Sequence, residues 1–201
     1  MSRIFLLFLS ATLLTNCVST PTQPDQKIAT AASAQAHIEK IAAIKQFALK
    51  GRIGVQADGK GFSGQIAWQH QPDRDVLTLY SPLGGQIALI EKSNGKVTLT
   101  DAKGNTLTED NLQTLTEKTL GWALPLDGLT DWALGRPSPQ HVQLQSRDAF
   151  GRLTKLKQED WDIDYQAYIN HQDTILPQRM HLRRVEANVK LVVESWSEIA
   201  N

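Results

Sequence analysis

The residues that could do chemistry are few and scattered. Gly59-Lys60-Gly61-Phe62-Ser63-Gly64 satisfies the glycine spacing of a dinucleotide-binding turn. That turn needs a strand before it and a helix after it, so that the helix N-terminus meets the pyrophosphate. Here Gln65 to Gln69 alternates as a strand, and the glycines suit a hairpin tip instead. The histidines, His37, His70, His141, His171 and His181, show no metal-ligand spacing and have no second cysteine to join them. Asp73 and Asp75, and Asp160, Asp162 and Asp164, are paired carboxylates by sequence. They flank turns or alternate with apolar residues, which reads as solvated faces. No serine or cysteine nucleophile comes with a base and an orienter. The residues point to no enzyme, metal or cofactor.

The single cysteine, Cys17, follows a short apolar run, Ile4 to Leu14, preceded by Arg3. About eleven helical residues reach roughly 16 Å, half a bilayer's hydrocarbon thickness, so the run reads as a secretory signal and not as a spanning helix. One thiol makes no internal disulfide. Cys17 is either left behind in a discarded signal or is the acylated residue of a lipobox, Leu14-Thr15-Asn16-Cys17. Ala32-Ser33-Ala34 is a rival cleavage site, lying farther from the apolar run. Lipidation at Cys17 is the reading adopted, although Asn16 stands where that pattern usually has Gly, Ala or Ser. The chain then divides into a signal peptide, 1–16, a Ser/Thr/Pro/Gln-rich tether, 17–32, and one domain, 33–201.

The 201 residues carry 21 basic and 21 acidic side chains. That balance argues against nucleic acid, which needs a basic face to displace counterions. The domain opens with helical spacing at Ala34, Ile38, Ile41, Ala42 and Ile44. The period then changes to two, giving strands around Leu49–Val55, Gln65–Gln69, Val76–Tyr80, Gln86–Glu91 and Lys96–Thr100. Thr108 is expected to cap a helix carrying Leu112, Leu115 and Leu120, and a second helix spans about Leu126 to Leu134. Strands return at Val142–Gln145, Leu153–Gln158, Trp161–Tyr168, Gln178–Val185 and Asn188–Trp196. These elements predict one α+β domain, a curved antiparallel sheet that closes or nearly closes on itself, with the helices on its open side.

Such a sheet can enclose an apolar cavity, and aromatic side chains suit a greasy ligand. Alternation and aromatic placement give the lining as Ile66, Trp68, Leu77, Leu79, Ile87, Leu89, Trp122, Trp132, Trp161, Ile163, Tyr165 and Trp196. One apolar residue is out of place. Ser81-Pro82-Leu83-Gly84-Gly85 reads as a tight turn, yet it holds Leu83 at its tip.

In order along the chain stand Leu49-Lys50-Gly51-Arg52-Ile53, Trp68-Gln69, Ser81-Pro82-Leu83-Gly84 and Leu120-Gly121-Trp122-Ala123-Leu124-Pro125-Leu126. Trp132-Ala133-Leu134-Gly135-Arg136-Pro137 and Glu194-Ser195-Trp196 follow. The set resembles the LolB family of outer-membrane lipoprotein receptors, which implies a LolA/LolB-like α+β fold, an incomplete (unclosed) antiparallel β-barrel with a lid or plug of about three helices. The resemblance implies a non-enzymatic monomer on the periplasmic face of the outer membrane of a Gram-negative bacterium, lipid-anchored through Cys17. It implies partners too: a LolA-like periplasmic lipoprotein carrier, the acyl chains of cargo lipoproteins, and outer-membrane phospholipid. It places the membrane-directed role on Pro82, Leu83 and Gly84. Val18 lacks the aspartate associated with inner-membrane retention, in keeping with that location. The alternatives are a periplasm-facing lipoprotein that binds another hydrophobic ligand or senses lipoproteins, and an envelope hydrolase.

Overall fold

The computed structural model describes residues 29–57, 59–120 and 126–201. The expected signal peptide, Cys17 and most of the tether therefore lie outside the described residues.

Helix α1, Ala31–Ala43, starts earlier than its apolar spacing suggests. Thr30 caps it reciprocally with Ser33: the Thr30 hydroxyl accepts the Ser33 N–H at 3.0 Å, and the Ser33 hydroxyl accepts the Thr30 N–H at 2.9 Å. The expected tether thus overlaps the first turn of the helix by two residues.

Strands β1, Gln46–Ala57; β2, Lys60–Gln71; β3, Arg74–Tyr80; β4, Gln86–Ser93; and β5, Lys96–Asp101, form a meander, extended by a short β6, Thr106–Glu109. The last corrects the expectation of a helix capped by Thr108. Thr98 and Thr100 pair their hydroxyls with Thr108 and Thr106 across the ladder, at 3.1 and 3.2 Å, which suits a strand. Helix α2, Leu112–Leu120, is capped instead by Asn111, whose Oδ1 accepts the Thr114 N–H at 3.0 Å. Helix α3, Leu126–Leu134, ends where Gly135 takes a left-handed φ of 78°.

The second half comprises β7, Val142–Arg147; β8, Leu153–Gln158; β9, Trp161–His171; β10, Thr174–Arg184; and β11, Ala187–Ala200. β10 begins before the expected Gln178 because Pro177 is accommodated at a register irregularity, where a missing N–H costs little.

The eleven strands make one antiparallel sheet in the order β6-β5-β4-β3-β2-β1-β11-β10-β9-β8-β7. β6 and β7 stand at opposite edges, so the barrel is unclosed. β1 and β11 join its halves, and their close approach depends on Gly51. A Cβ there would sit 2.1 Å from the Val192 carbonyl oxygen, beside the register shift at Lys50/Gly51. All three helices contribute to one continuous apolar cluster, through Ile41, Leu112 and Leu115, and Leu129 and Trp132. That cluster runs from Ile41 to Trp196, so residues 29–201 carry every described part of the core.

Candidate functional site

The sheet's inner face and the helices enclose an apolar interior. Ile66 and Trp68 on β2, Leu77 and Leu79 on β3, Trp161, Ile163 and Tyr165 on β9, Trp196 on β11 and Trp132 on α3 are all buried in one cluster. Alternation along each strand brings them to the same side. Two expected lining residues do not join them as predicted. The fully buried residues of β4 are Ala88 and Ile90, whereas Ile87 and Leu89 are half-buried. Leu77 faces Ile90 across the ladder and Leu79 faces Ala88, so the inward parity of β4 is the opposite of the expected one. The reason is a register irregularity between Leu79 and Tyr80, next to the Ser81–Gly85 turn, which changes the count from β3 to β4. Ile87 still packs against the core at its margin. Trp122 lies outside the described residues.

Aromatic rings organise this interior. Phe47, which alternation alone did not single out, meets Trp68 edge-on at 5.0 Å between centroids and Trp196 at 5.5 Å. Trp132 and Trp161 stand 6.3 Å apart. Polar atoms on these rings are partnered. Trp132 Nε1 donates to Gln158 Oε1 at 3.0 Å, and Trp196 Nε1 donates to the Pro177 carbonyl at 3.1 Å. The Tyr165 hydroxyl donates to the Trp132 carbonyl at 3.0 Å. Burial pushes the phenols of Tyr165 and Tyr168 above their ordinary range, so both stay neutral donors. The interior is thus predominantly apolar, and the polar groups on its aromatic rings are partnered.

Asp75 departs from the expectation of a solvated turn carboxylate. It is buried, accepting from Trp68 Nε1 at 2.9 Å and sitting 2.8 Å from His70 Nδ1. Asp160 and Asp162 are exposed as expected, and Asp164 pairs with Arg183. Gly59–Gly64 spans the β1–β2 turn and runs into β2, with no helix following it. Among the described residues, no group of three His, Cys, Asp or Glu is placed to hold a metal ion.

The open cleft at the β8–β9 and β10–β11 turns, about 780 Å³, is of a different character. Glu117 of α2, Lys157, Asp160, Asp162, Arg183 and Glu186 line it, and its lining is mostly polar. Leu115 of α2 and Leu129 and Trp132 of α3 are fully buried in the same apolar cluster as the inner face of the sheet.

Leu83 lies apart from all of this. The Ser81 carbonyl accepts the Gly84 N–H at 2.9 Å, and the Ser81 N–H donates to the Gly85 carbonyl at 2.7 Å. Gly84 takes a φ of 88°, the left-handed residue that closes a three-residue hairpin loop. Pro82 presets the turn, and Leu83 is left 99% exposed at its tip. The turn does not fold its leucine back onto the sheet.

A model of the family described as "Outer membrane lipoprotein LolB" matches residues 45–196. The chain is 36% identical over 156 residues to an outer-membrane lipoprotein LolB of Chromobacterium violaceum, covering 77% of this chain and 82% of that protein. It is 34% identical over 152 residues to one of Nitrosomonas europaea, covering 75% and 72%, and 28% identical over 200 residues to one of Chromohalobacter salexigens, covering 100% and 92%. In fold it resembles the crystal structure of a LolA superfamily protein from Nitrosomonas europaea, with a TM-score of 0.52, 11% identity, and coverage of 82% of this chain and 92% of that one. An unclosed eleven-stranded sheet with a helical cover, and relatives matched along most of its length, place the chain in the outer membrane lipoprotein LolB family.

Proposed function

We propose that this protein is an outer-membrane lipoprotein receptor. It takes acylated lipoproteins from a LolA-like periplasmic carrier into its apolar interior and passes them to the inner leaflet of the outer membrane. Cys17 anchors it there, and Pro82-Leu83-Gly84 meets the bilayer. No covalent step is required. The observation that carries this reading is the pairing of a predominantly apolar, aromatic-rich interior with one fully exposed leucine on a shaped turn.

Acyl chains cost about 0.8 kcal/mol per methylene to expose to water. Passing them from one apolar interior to another avoids that cost, and a modest difference in affinity then sets the direction. In the closed form, core side chains occupy the space that cargo would take. Acyl chains replace those contacts as the helices move outward, so little apolar surface is exposed at any stage. A single leucine inserting into a bilayer contributes about 2 kcal/mol. That is too little to anchor the protein and enough to orient it. The test is to mix residues 29–201 with a lipoprotein–carrier complex and follow the cargo by pull-down. Cargo must move to the receptor; cargo that stays on the carrier contradicts the proposal.

A further inference from the structure

Leu83 is not the only apolar side chain displayed on a hairpin tip. Val185, in the β10–β11 turn, is 86% exposed, and these two are far more exposed than any other large apolar residue described. Neither Val185 nor its neighbour suits the turn it occupies. Two-residue hairpins favour Asn and Gly, whereas here a β-branched residue precedes Glu186 at a φ of 76°. Turn chemistry therefore does not explain a valine at this tip.

The sheet brings the two tips to one end. β4, β3, β2, β1, β11 and β10 are contiguous and antiparallel, so the β3–β4, β1–β2 and β10–β11 turns all point the same way. Register carries the comparison across: Tyr80 is level with Gln65 and hence with Arg52 of β1, and Ala187 is level with Ala57. The hairpins are four strand spacings apart, about 19 Å, and five residues of rise, about 17 Å, separate the two levels along the strands. Helix α1 lies at the opposite end. Its Lys40 reaches the Asp173 carbonyl in the β9–β10 turn, and Ala34 abuts Gly151 in the β7–β8 turn.

We propose that Val185 is a second membrane contact, so that the domain docks through this end, with its strands tilted, to a phospholipid bilayer by two apolar tips. This rests on the reading of Leu83 given above. Val185 stands on the rim of the polar cleft described above, and a bilayer is favoured over a protein partner because two separate apolar side chains bury too little area for a stable protein interface, which needs about 1,000 Å². A lipid surface accepts each tip independently. Charge identifies the kind of lipid. Lys60, Arg183 and Arg184 at this end are matched by Glu159, Asp160 and Glu186, and Arg183 is engaged by Asp164. The rim is near neutral, so docking suits zwitterionic phospholipid and changes little with salt.

Residues 29–201 contain no cysteine, so Val185→Cys gives one labelling site. An environment-sensitive fluorophore at position 185 is expected to shift to the blue on phosphatidylcholine vesicles, equally at low and high salt. The same label at Ser93→Cys, the last residue of β4 at the opposite end, is expected not to shift. In lipoprotein delivery to those vesicles, Val185→Ser is expected to slow release about threefold without altering receipt from the carrier. An unshifted label at 185 together with normal delivery by Val185→Ser overturns the inference. If Leu83→Glu still delivers poorly in that event, the reading of Leu83 survives; normal delivery by both variants overturns both.

Discussion

The Trp68 indole N–H donates to the buried carboxylate of Asp75 at 2.9 Å, tying the centre of the aromatic interior to the β2–β3 turn. His70 Nδ1 shares the same carboxylate oxygen at 2.8 Å. Removing the acceptor leaves a buried N–H unpaired. Asp75→Ala is expected to destabilise the fold by about 2–3 kcal/mol in urea unfolding. Arg74→Ala, which breaks an exposed pair with Glu91, should cost under about 1 kcal/mol. Equal effects would show that the buried bond contributes nothing special.

Arg136 joins two of the covering helices. Its Nη1 donates to the carbonyls of Ile41, Ala42 and Ile44 at the C-terminus of α1, at 2.9, 3.1 and 2.8 Å, while its Nε donates to Asp131 of α3 at 2.6 Å. A lysine ammonium lacks the planar fork that serves both sides. Arg136→Lys is therefore expected to raise amide hydrogen exchange in α1 by at least tenfold while leaving β1 and β11 protected. Unchanged exchange in α1 would remove Arg136 from this role.

α1 also carries a pH-sensitive contact. Burial, then the positive charge of Arg152, lowers the pKa of His37 below its ordinary 6.5, with Asp148 opposing and Arg147 and Lys40 assisting. The unfolded chain thus binds more protons at this site than the folded one in the window just below pH 6.5. Stability contributed here is present above pH 6.5 and is lost as pH falls through that window. His37→Gln should flatten the fall in melting temperature between pH 7 and pH 5.5. An identical fall in the variant would assign it elsewhere.

Much of this was legible in the sequence, for identifiable reasons. Leu77 and Leu79, or Ile163 and Tyr165, alternate within a single strand, and period two places them without knowledge of a partner. Ile87 and Leu89 were placed on the wrong parity because the register irregularity beside Tyr80 depends on how β4 pairs with β3, which no single segment reveals. β6 was hidden because Thr108 and Glu109 also make a good helix start; the cross-strand threonine pairs that decide the matter are a tertiary contact. Asp75 read as solvated because its partners, Trp68 and His70, are fixed only when β2 and β3 fold together. Leu83 was legible because its anomaly is local: an apolar residue between proline and glycine.

The central claim is that the interior receives acyl chains and the Leu83 tip sends them into a membrane. It is tested most directly by loading residues 29–201, wild type and Leu83→Glu, from a lipoprotein–carrier complex and then adding liposomes. Leu83→Glu should accept cargo as wild type does, because Leu83 touches none of the interior. It should deliver cargo at least about tenfold more slowly, as expected from losing most of the roughly 2 kcal/mol that the leucine gains in lipid. Equal delivery by the two proteins would contradict the account.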